Sequence, residues 1–246
     1  MLHNNIGIND NGHLTFAGLD TTELAAEYKT PLYLLDEDKI RENCRVYVDA
    51  MKEYFGGESG PLFASKALSF TGIYKIMKEE GMRCDIVSPG ELYTAANAGF
   101  PLECGFFHGS NKTDEDIEYA MNENIGYFVA DNMCELQEIN RIALERNIKQ
   151  KIILRLTPGI DPHTHKSIST GKVDSKFGVP IETGQAEKVC LEVLKMEGIE
   201  LAGFHCHIGS QIFEYKPFAD AADIMLKFIA MMEKKYSFKC RILNLG

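Results

Sequence analysis

The sequence predicts an α/β barrel of the (β/α)8 type that ends here after a seventh strand. Short apolar runs alternate with amphipathic stretches along the chain, a pattern typical of parallel strands joined by right-handed helical crossovers. Polar residues also recur after the predicted strands, 19, 23, 23 and 24 positions apart, at Lys66, Asp85, His108, Asp131 and Arg155. This spacing corresponds to one compact βα unit, and barrel active sites lie at the C-terminal ends of the strands.

The first 35 residues are predicted to precede the barrel. Asp10-Asn11-Gly12 lies between short apolar runs, which is the signal of a hairpin turn. The first barrel helix is predicted near Asp36–Tyr54.

Seven strands are predicted in residues 36–246, with amphipathic helices between them. The strands are Leu62–Ser65, Arg83–Val87, Cys104–Phe107, Ile125–Ala130, Lys151–Leu156, Leu201–His207 and Cys240–Leu245. Three helix starts are readable: capping boxes at Ser88–Glu91 and Asn132–Glu135, and an acidic first turn at Thr113–Asp116. The segment from Pro158 to Ser175 shows neither the helical nor the strand period of apolar residues. It is predicted to be a lid or binding loop over the site.

Composition excludes several classes of partner. A net charge of −10 and a pI near 5.2 argue against nucleic acid and anionic membranes. The chain shows no signal-peptide pattern and no apolar run near the roughly 18 residues of a membrane span. Seven dispersed cysteines without a CxxC pair indicate reduced thiols. We therefore expect a cytoplasmic protein.

Lys66 is the candidate nucleophile. It follows an apolar strand in Phe63-Ala64-Ser65-Lys66-Ala67-Leu68. Desolvation at a barrel mouth would lower the pKa of its amine and favour attack on an aldehyde, and Asp85, one strand away, could pair with it. The alternative is a solvated lysine, which is the usual state of this residue type.

The segment His205-Cys206-His207-Ile208-Gly209-Ser210-Gln211 is the most specific in the chain. Positions i and i+2 of a strand share a face, so both imidazoles are predicted to point into the barrel mouth. One interpretation is a zinc site. The other is a ring-stacking imidazole followed by a Gly-Ser turn that contacts a phosphate, which Gly209 favours because glycine permits close backbone approach.

From about Thr30 to Gly246 the chain resembles the barrel domain of the diaminopimelate decarboxylase family, in the alanine-racemase-like class of pyridoxal 5'-phosphate (PLP) enzymes. The matching segments occur in the family's order: Thr30–Tyr33, Phe63–Ala67, Asp85–Leu92, His108–Lys112, Leu154–Gly159, Ser175–Gly178 and the histidine motif.

The resemblance implies PLP as cofactor and decarboxylation of meso-diaminopimelate to L-lysine, with no metal. It implies two catalytic residues, Lys66 bound covalently to PLP and His207 stacked on its ring. The further cofactor-binding candidates are Asp85, Arg155, Ser210 and Gly246.

The family pattern also contains parts that this sequence lacks. They are the phosphate loop beyond Gly246, a Glu-Pro-Gly-Arg segment, a Gly-Pro-x-Cys motif and a C-terminal β domain. We therefore expect the chain to be the barrel portion of a homodimeric enzyme acting on a small amino acid, to be inactive alone, and to carry in residues 1–35 a piece of the β domain. The alternatives are a decarboxylase of arginine or carboxynorspermidine, a non-catalytic single-domain PLP carrier, and a metal-dependent hydrolase using His205 and His207.

Overall fold

The structure, a computed structural model, describes residues 4–160 and 177–246. Its elements are β1 (Ile6–Ile8), β2 (Leu14–Phe16), β3 (Leu19–Asp20), α1 (Thr21–Tyr28), α2 (Glu37–Phe55), β4 (Leu62–Ala64), α3 (Thr71–Glu79), β5 (Arg83–Ile86), α4 (Pro89–Asn97), β6 (Gly105–Phe107), α5 (Asp114–Asn122), β7 (Tyr127–Ala130), α6 (Met133–Glu145), β8 (Gln150–Thr157), β9 (Val179–Pro180), α7 (Gln185–Val193), β10 (Ile199–His205), α8 (Lys216–Tyr236) and β11 (Ile242–Asn244). The predicted lid lies outside the described residues except for positions 158–160.

The chain forms two compact units, and the first comprises Met1–Leu62 and Ile76–Arg83. It contains the antiparallel sheet β1–β2–β3, in which Ile8 pairs with Leu14 across the predicted turn. A helix is confirmed at the predicted position: it is α2, whose N-cap Asp36 accepts a hydrogen bond from the backbone N–H of Lys39.

The second unit comprises Phe63–Lys75 and Cys84–Gly246. The seven predicted strands are confirmed and lie in the order β4-β5-β6-β7-β8-β10-β11, with every pairing from β5 to β11 parallel. This is the curled parallel sheet of the predicted barrel class. The sequence did not predict β9, a two-residue strand that pairs with Leu156 and Thr157 at the end of β8.

The core of the second unit lies between the parallel sheet and its helices. The strands bury large aromatic side chains, and the helices bury one apolar face each, as their period predicts. Fully buried examples are Phe106, Phe128 and Phe204 on the strands and Leu92, Ile117, Leu136 and Ile139 on the helices. Burial of each such side chain stabilises the folded state by roughly 1.5–3 kcal/mol.

In the described part of the chain, no helix is long and apolar enough to cross a membrane.

The helix caps hold the strand ends in place, and two of them differ from the prediction. A complete capping box forms between Thr113 and Asp116. Ser88 and Asn132 cap α4 and α6 as predicted. However, the carboxylates of Glu91 and Glu135 accept from the N–H groups of Val87 and Asp131, one residue before each cap. The two carboxylates extend one residue beyond the cap, because each of them also binds a side chain from the preceding βα unit.

Candidate functional site

Lys66 lies just beyond β4, in the 3₁₀ turn Ser65–Ala67. Its side chain is exposed, whereas Ser65 beside it is fully buried. The expected desolvated amine is therefore not what the structure shows, because the turn carries Lys66 past the apolar strand. An exposed amine is available to a small molecule that enters from solvent.

Asp85 and His108 form the centre of the site, on two neighbouring strands. Nε2 of His108 lies 3.0 Å from Oδ1 of Asp85, but the two atoms are not aligned as a hydrogen bond and both are buried. His108 follows β6 as predicted, whereas Asp85 lies within β5 and not after it. The predicted strand, Arg83–Val87, already included Asp85, so its assignment as a residue after the strand was wrong.

Arg155 also lies within its strand, β8, and not after it, as the predicted bounds Lys151–Leu156 had already implied. Its guanidinium packs over the Phe177 ring, 4.5 Å from the ring centroid, and its Nε lies 3.8 Å from Oδ1 of Asp131. Burial lowers the pKa of Arg155 while Asp131 opposes that shift; arginine nevertheless stays charged in proteins. The same Asp131 oxygen accepts the N–H of Gly178 at 2.9 Å, which fixes the chain as it returns to the sheet.

The two histidines of the motif occupy different environments. His205 ends β10, is 3% exposed, and packs edge-to-face on His108 with ring centroids 4.9 Å apart. His207 lies beyond the end of β10 and not on the strand as predicted. Burial lowers the pKa of His207 to about 4, helped by the nearby charges of Arg155 and Lys66. Its imidazole is therefore neutral at pH 7, and Lys66 lies within its electrostatic reach.

Backbone approaches the His207 ring closely at Gly246. This glycine has φ +86°, and a Cβ built on it would lie 2.6 Å from Nδ1 of His207. Only glycine fits there without displacing the ring. Gly209 is also in the positive-φ region, at +144°, and Ser210 after it is exposed. These two turns present backbone groups beside a neutral imidazole.

Lys112 is a basic residue whose role the sequence did not reveal. Its side chain is 2% exposed, and Nζ donates to Glu135 Oε1 at 2.6 Å and to the carbonyls of Gly109 and Val129 at 2.8 and 3.0 Å. With its three donors used, Lys112 holds the strand ends together and is not a free amine. A non-local ion pair of this kind leaves no local signal in the sequence.

The residues present fit the PLP implied by the resemblance. Oδ1 of Asp85 and Nε2 of His108 are buried and lie 3.0 Å apart without the alignment of a hydrogen bond, and buried polar atoms without an aligned partner are rare and indicate a site for another group. Lys66 would hold the aldehyde of PLP, and the His207 imidazole would cover its ring. Arg155 and the backbone at Gly209 and Gly246 would face its anionic groups. Within the described ranges, no three or more His, Cys, Asp or Glu side chains are grouped to bind a metal.

Comparisons with known proteins agree on one family. Residues 37–246 match the family model described as pyridoxal-dependent decarboxylase, pyridoxal binding domain. The chain is 43% identical over 244 residues to the diaminopimelate decarboxylase of Bacillus methanolicus, covering 99% of this chain and 56% of that protein. It is 42% identical over 245 residues to that of Bacillus subtilis, covering 100% and 56%.

Solved structures give the same result. The diaminopimelate decarboxylase of M. jannaschii in complex with L-lysine aligns with a TM-score of 0.88 at 33% identity, over 99% of this chain and 56% of that one. The chain thus spans about half the length of the relatives that it matches.

Proposed function

The chain belongs to the family of pyridoxal-dependent decarboxylases, through their pyridoxal-binding domain, and on that premise we propose that it is the barrel portion of a diaminopimelate decarboxylase. One observation supports the site assignment: the charges of Arg155, Lys66, His108 and Asp85 all act on the pKa of the buried His207 imidazole, so these strand-end residues surround one position. The proposed substrate is meso-diaminopimelate and the products are carbon dioxide and L-lysine, as the names of the relatives suggest.

The cofactor and three side chains have separate roles in the proposed reaction. PLP, when bound, supplies the electron sink that takes up the electron pair left by departing carbon dioxide. Lys66 would hold the cofactor covalently, and its amine, when free, would move a proton at the reacting carbon. His207 presents a flat, uncharged face that excludes water from one side of the ring. Arg155 supplies fixed positive charge for an anionic group.

Asp85 has a separate role in this proposal. Its buried Oδ1 lies 3.0 Å from Nε2 of His108 without the alignment of a hydrogen bond. From the neighbouring strand this carboxylate would stabilise positive charge on the Lys66 amine.

The function is tested by assaying the protein at its natural length, loaded with PLP, for carbon dioxide and L-lysine released from meso-diaminopimelate. We expect turnover in the wild type and none in Lys66→Ala, with unchanged secondary structure, because an exposed lysine adds little to the core. Turnover of arginine or carboxynorspermidine without diaminopimelate would refute the substrate. No turnover of any of these three would refute the decarboxylase.

The homodimeric state and the cytoplasmic location stay predictions. Light scattering of the purified protein at its natural length tests the first, and cell fractionation tests the second.

A further inference from the structure

The side chain before Lys66 is tied to two other segments of the site. Ser65 is 0% exposed. Its Oγ lies 2.7 Å from the carbonyl oxygen of Asp85 and 2.5 Å from Oε2 of Glu91. The single Ser65 hydroxyl proton is thus shared between an acceptor on β5 and one in the first turn of α4.

Glu91 is itself held firmly. The backbone N–H of Val87 donates to its Oε2 at 3.0 Å, and the Ser88 hydroxyl donates to its Oε1 at 3.2 Å. The Tyr74 hydroxyl donates to its backbone carbonyl at 3.3 Å. A carboxylate fixed from several directions gives the Ser65 hydroxyl a rigid partner.

The turn at Lys66 has little stability of its own. It spans only three residues, and its last backbone hydrogen bond runs from the N–H of Leu68 to the carbonyl of Ser65, at 3.1 Å. Short 3₁₀ turns have poor hydrogen-bond geometry. The exposed Lys66 side chain therefore takes its starting direction from a backbone that Ser65 anchors.

We propose that Ser65 is a positioning residue for Lys66, whose buried hydroxyl fixes the turn so that the amine meets the aldehyde carbon of the cofactor. This inference rests on the proposed function. Attachment is a condensation: the uncharged Lys66 nitrogen forms a double bond to the aldehyde carbon, and the aldehyde oxygen leaves as water with the two amine hydrogens. Such a reaction is sensitive to the placement of the nitrogen, since small misplacements slow reactions between bound groups.

Ser88 offers a matched control because it contacts the same glutamate. Ser65→Ala and Ser88→Ala each remove one hydroxyl from Glu91, but Ser88 caps α4 and does not contact the turn at Lys66. A purely structural role would make the two variants alike. A positioning role would separate them.

The experiment mixes cofactor-free protein of natural length with PLP and follows attachment by visible absorbance, with borohydride trapping and peptide mass spectrometry to quantify label on Lys66. We expect Ser65→Ala to slow attachment about fivefold to tenfold, the effect of one lost buried hydrogen bond. Ser88→Ala should lower the midpoint of thermal unfolding and attach PLP at the wild-type rate. Ser65→Cys, similar in size but a weak donor, should be slow like Ser65→Ala and supplies the comparison if that variant does not fold.

Attachment by folded Ser65→Ala and Ser65→Cys at the wild-type rate, or equal slowing in Ser88→Ala, would overturn the inference and leave the proposed function intact. Failure of the wild type to attach PLP at Lys66 would overturn both. A wild type that attaches PLP but does not release L-lysine would refute only the proposed reaction, and the attachment rates would still decide the role of Ser65.

Discussion

At the scale of single residues, His207 combines burial with two nearby positive charges. Burial opposes protonation of its imidazole, and the positive charges of Arg155 and Lys66 oppose it further, so its pKa falls from 6.5 to about 4. In the unfolded chain the same imidazole binds a proton near pH 6.5. Between these two values the unfolded state binds more protons, so the folded state loses stability as the pH falls.

We predict that the cofactor-free protein loses roughly 3 kcal/mol of unfolding free energy from this residue between pH 6.5 and 4, at about 1.4 kcal/mol per pKa unit. Urea unfolding at a series of pH values measures the loss. His207→Asn is the control, and its stability should fall less steeply over the same range. Parallel curves for the two proteins would show that His207 titrates normally.

Lys112 and Glu135 form a buried ion pair whose halves depend on each other. We predict that Lys112→Met costs about 3–5 kcal/mol, because it leaves the Glu135 carboxylate buried and uncompensated. Adding Glu135→Gln should recover part of that loss, since the neutral amide still has an oxygen to accept the N–H of Asp131. Denaturant unfolding of the two single variants and the double variant gives the coupling energy. Additive losses would mean that the pair is not coupled.

At the scale of elements, the sequence predicted what depends on local pattern. The seven parallel strands, the hairpin at Asp10-Asn11-Gly12 and the caps at Ser88, Thr113 and Asn132 were all readable, because period and capping chemistry are local. β9 could not be predicted in this way, because Val179–Pro180 is a strand only through its pairing with Leu156 and Thr157. The sequence did not predict the hydrogen bond between Ser65 and Glu91 for the same reason, since it joins residues that are distant along the chain.

The pairing of β10 with β11 depends on one glycine. A Cβ on Gly203 would overlap the backbone carbonyl of Ile242, its partner on β11. We predict that Gly203→Ala costs about 1–3 kcal/mol and displaces β11, raising amide hydrogen exchange at Leu243. Gly57→Ala is the control: a Cβ there meets nothing within 4 Å, so its effect should stay within about 0.5 kcal/mol. Unchanged exchange at Leu243 in Gly203→Ala would contradict the predicted displacement.

At the scale of the whole molecule, the sequence selected candidate residues but did not predict their environments. The strand-end spacing and the family resemblance selected Lys66, Asp85, Arg155, His207 and Gly246, and the structure places these residues in one unit. Whether Lys66 is exposed, and whether Lys112 is a free amine, depends on contacts across the sheet that no local pattern encodes.

The central claim is that Lys66 holds the cofactor, and reductive trapping tests it most directly. Protein of natural length is incubated with PLP, reduced with borohydride, digested and mapped by mass spectrometry. We predict that the label lies on the peptide containing Lys66 and is lost in Lys66→Ala. Label recovered chiefly on Lys112 or Lys172, with Lys66 unmodified, would contradict the account.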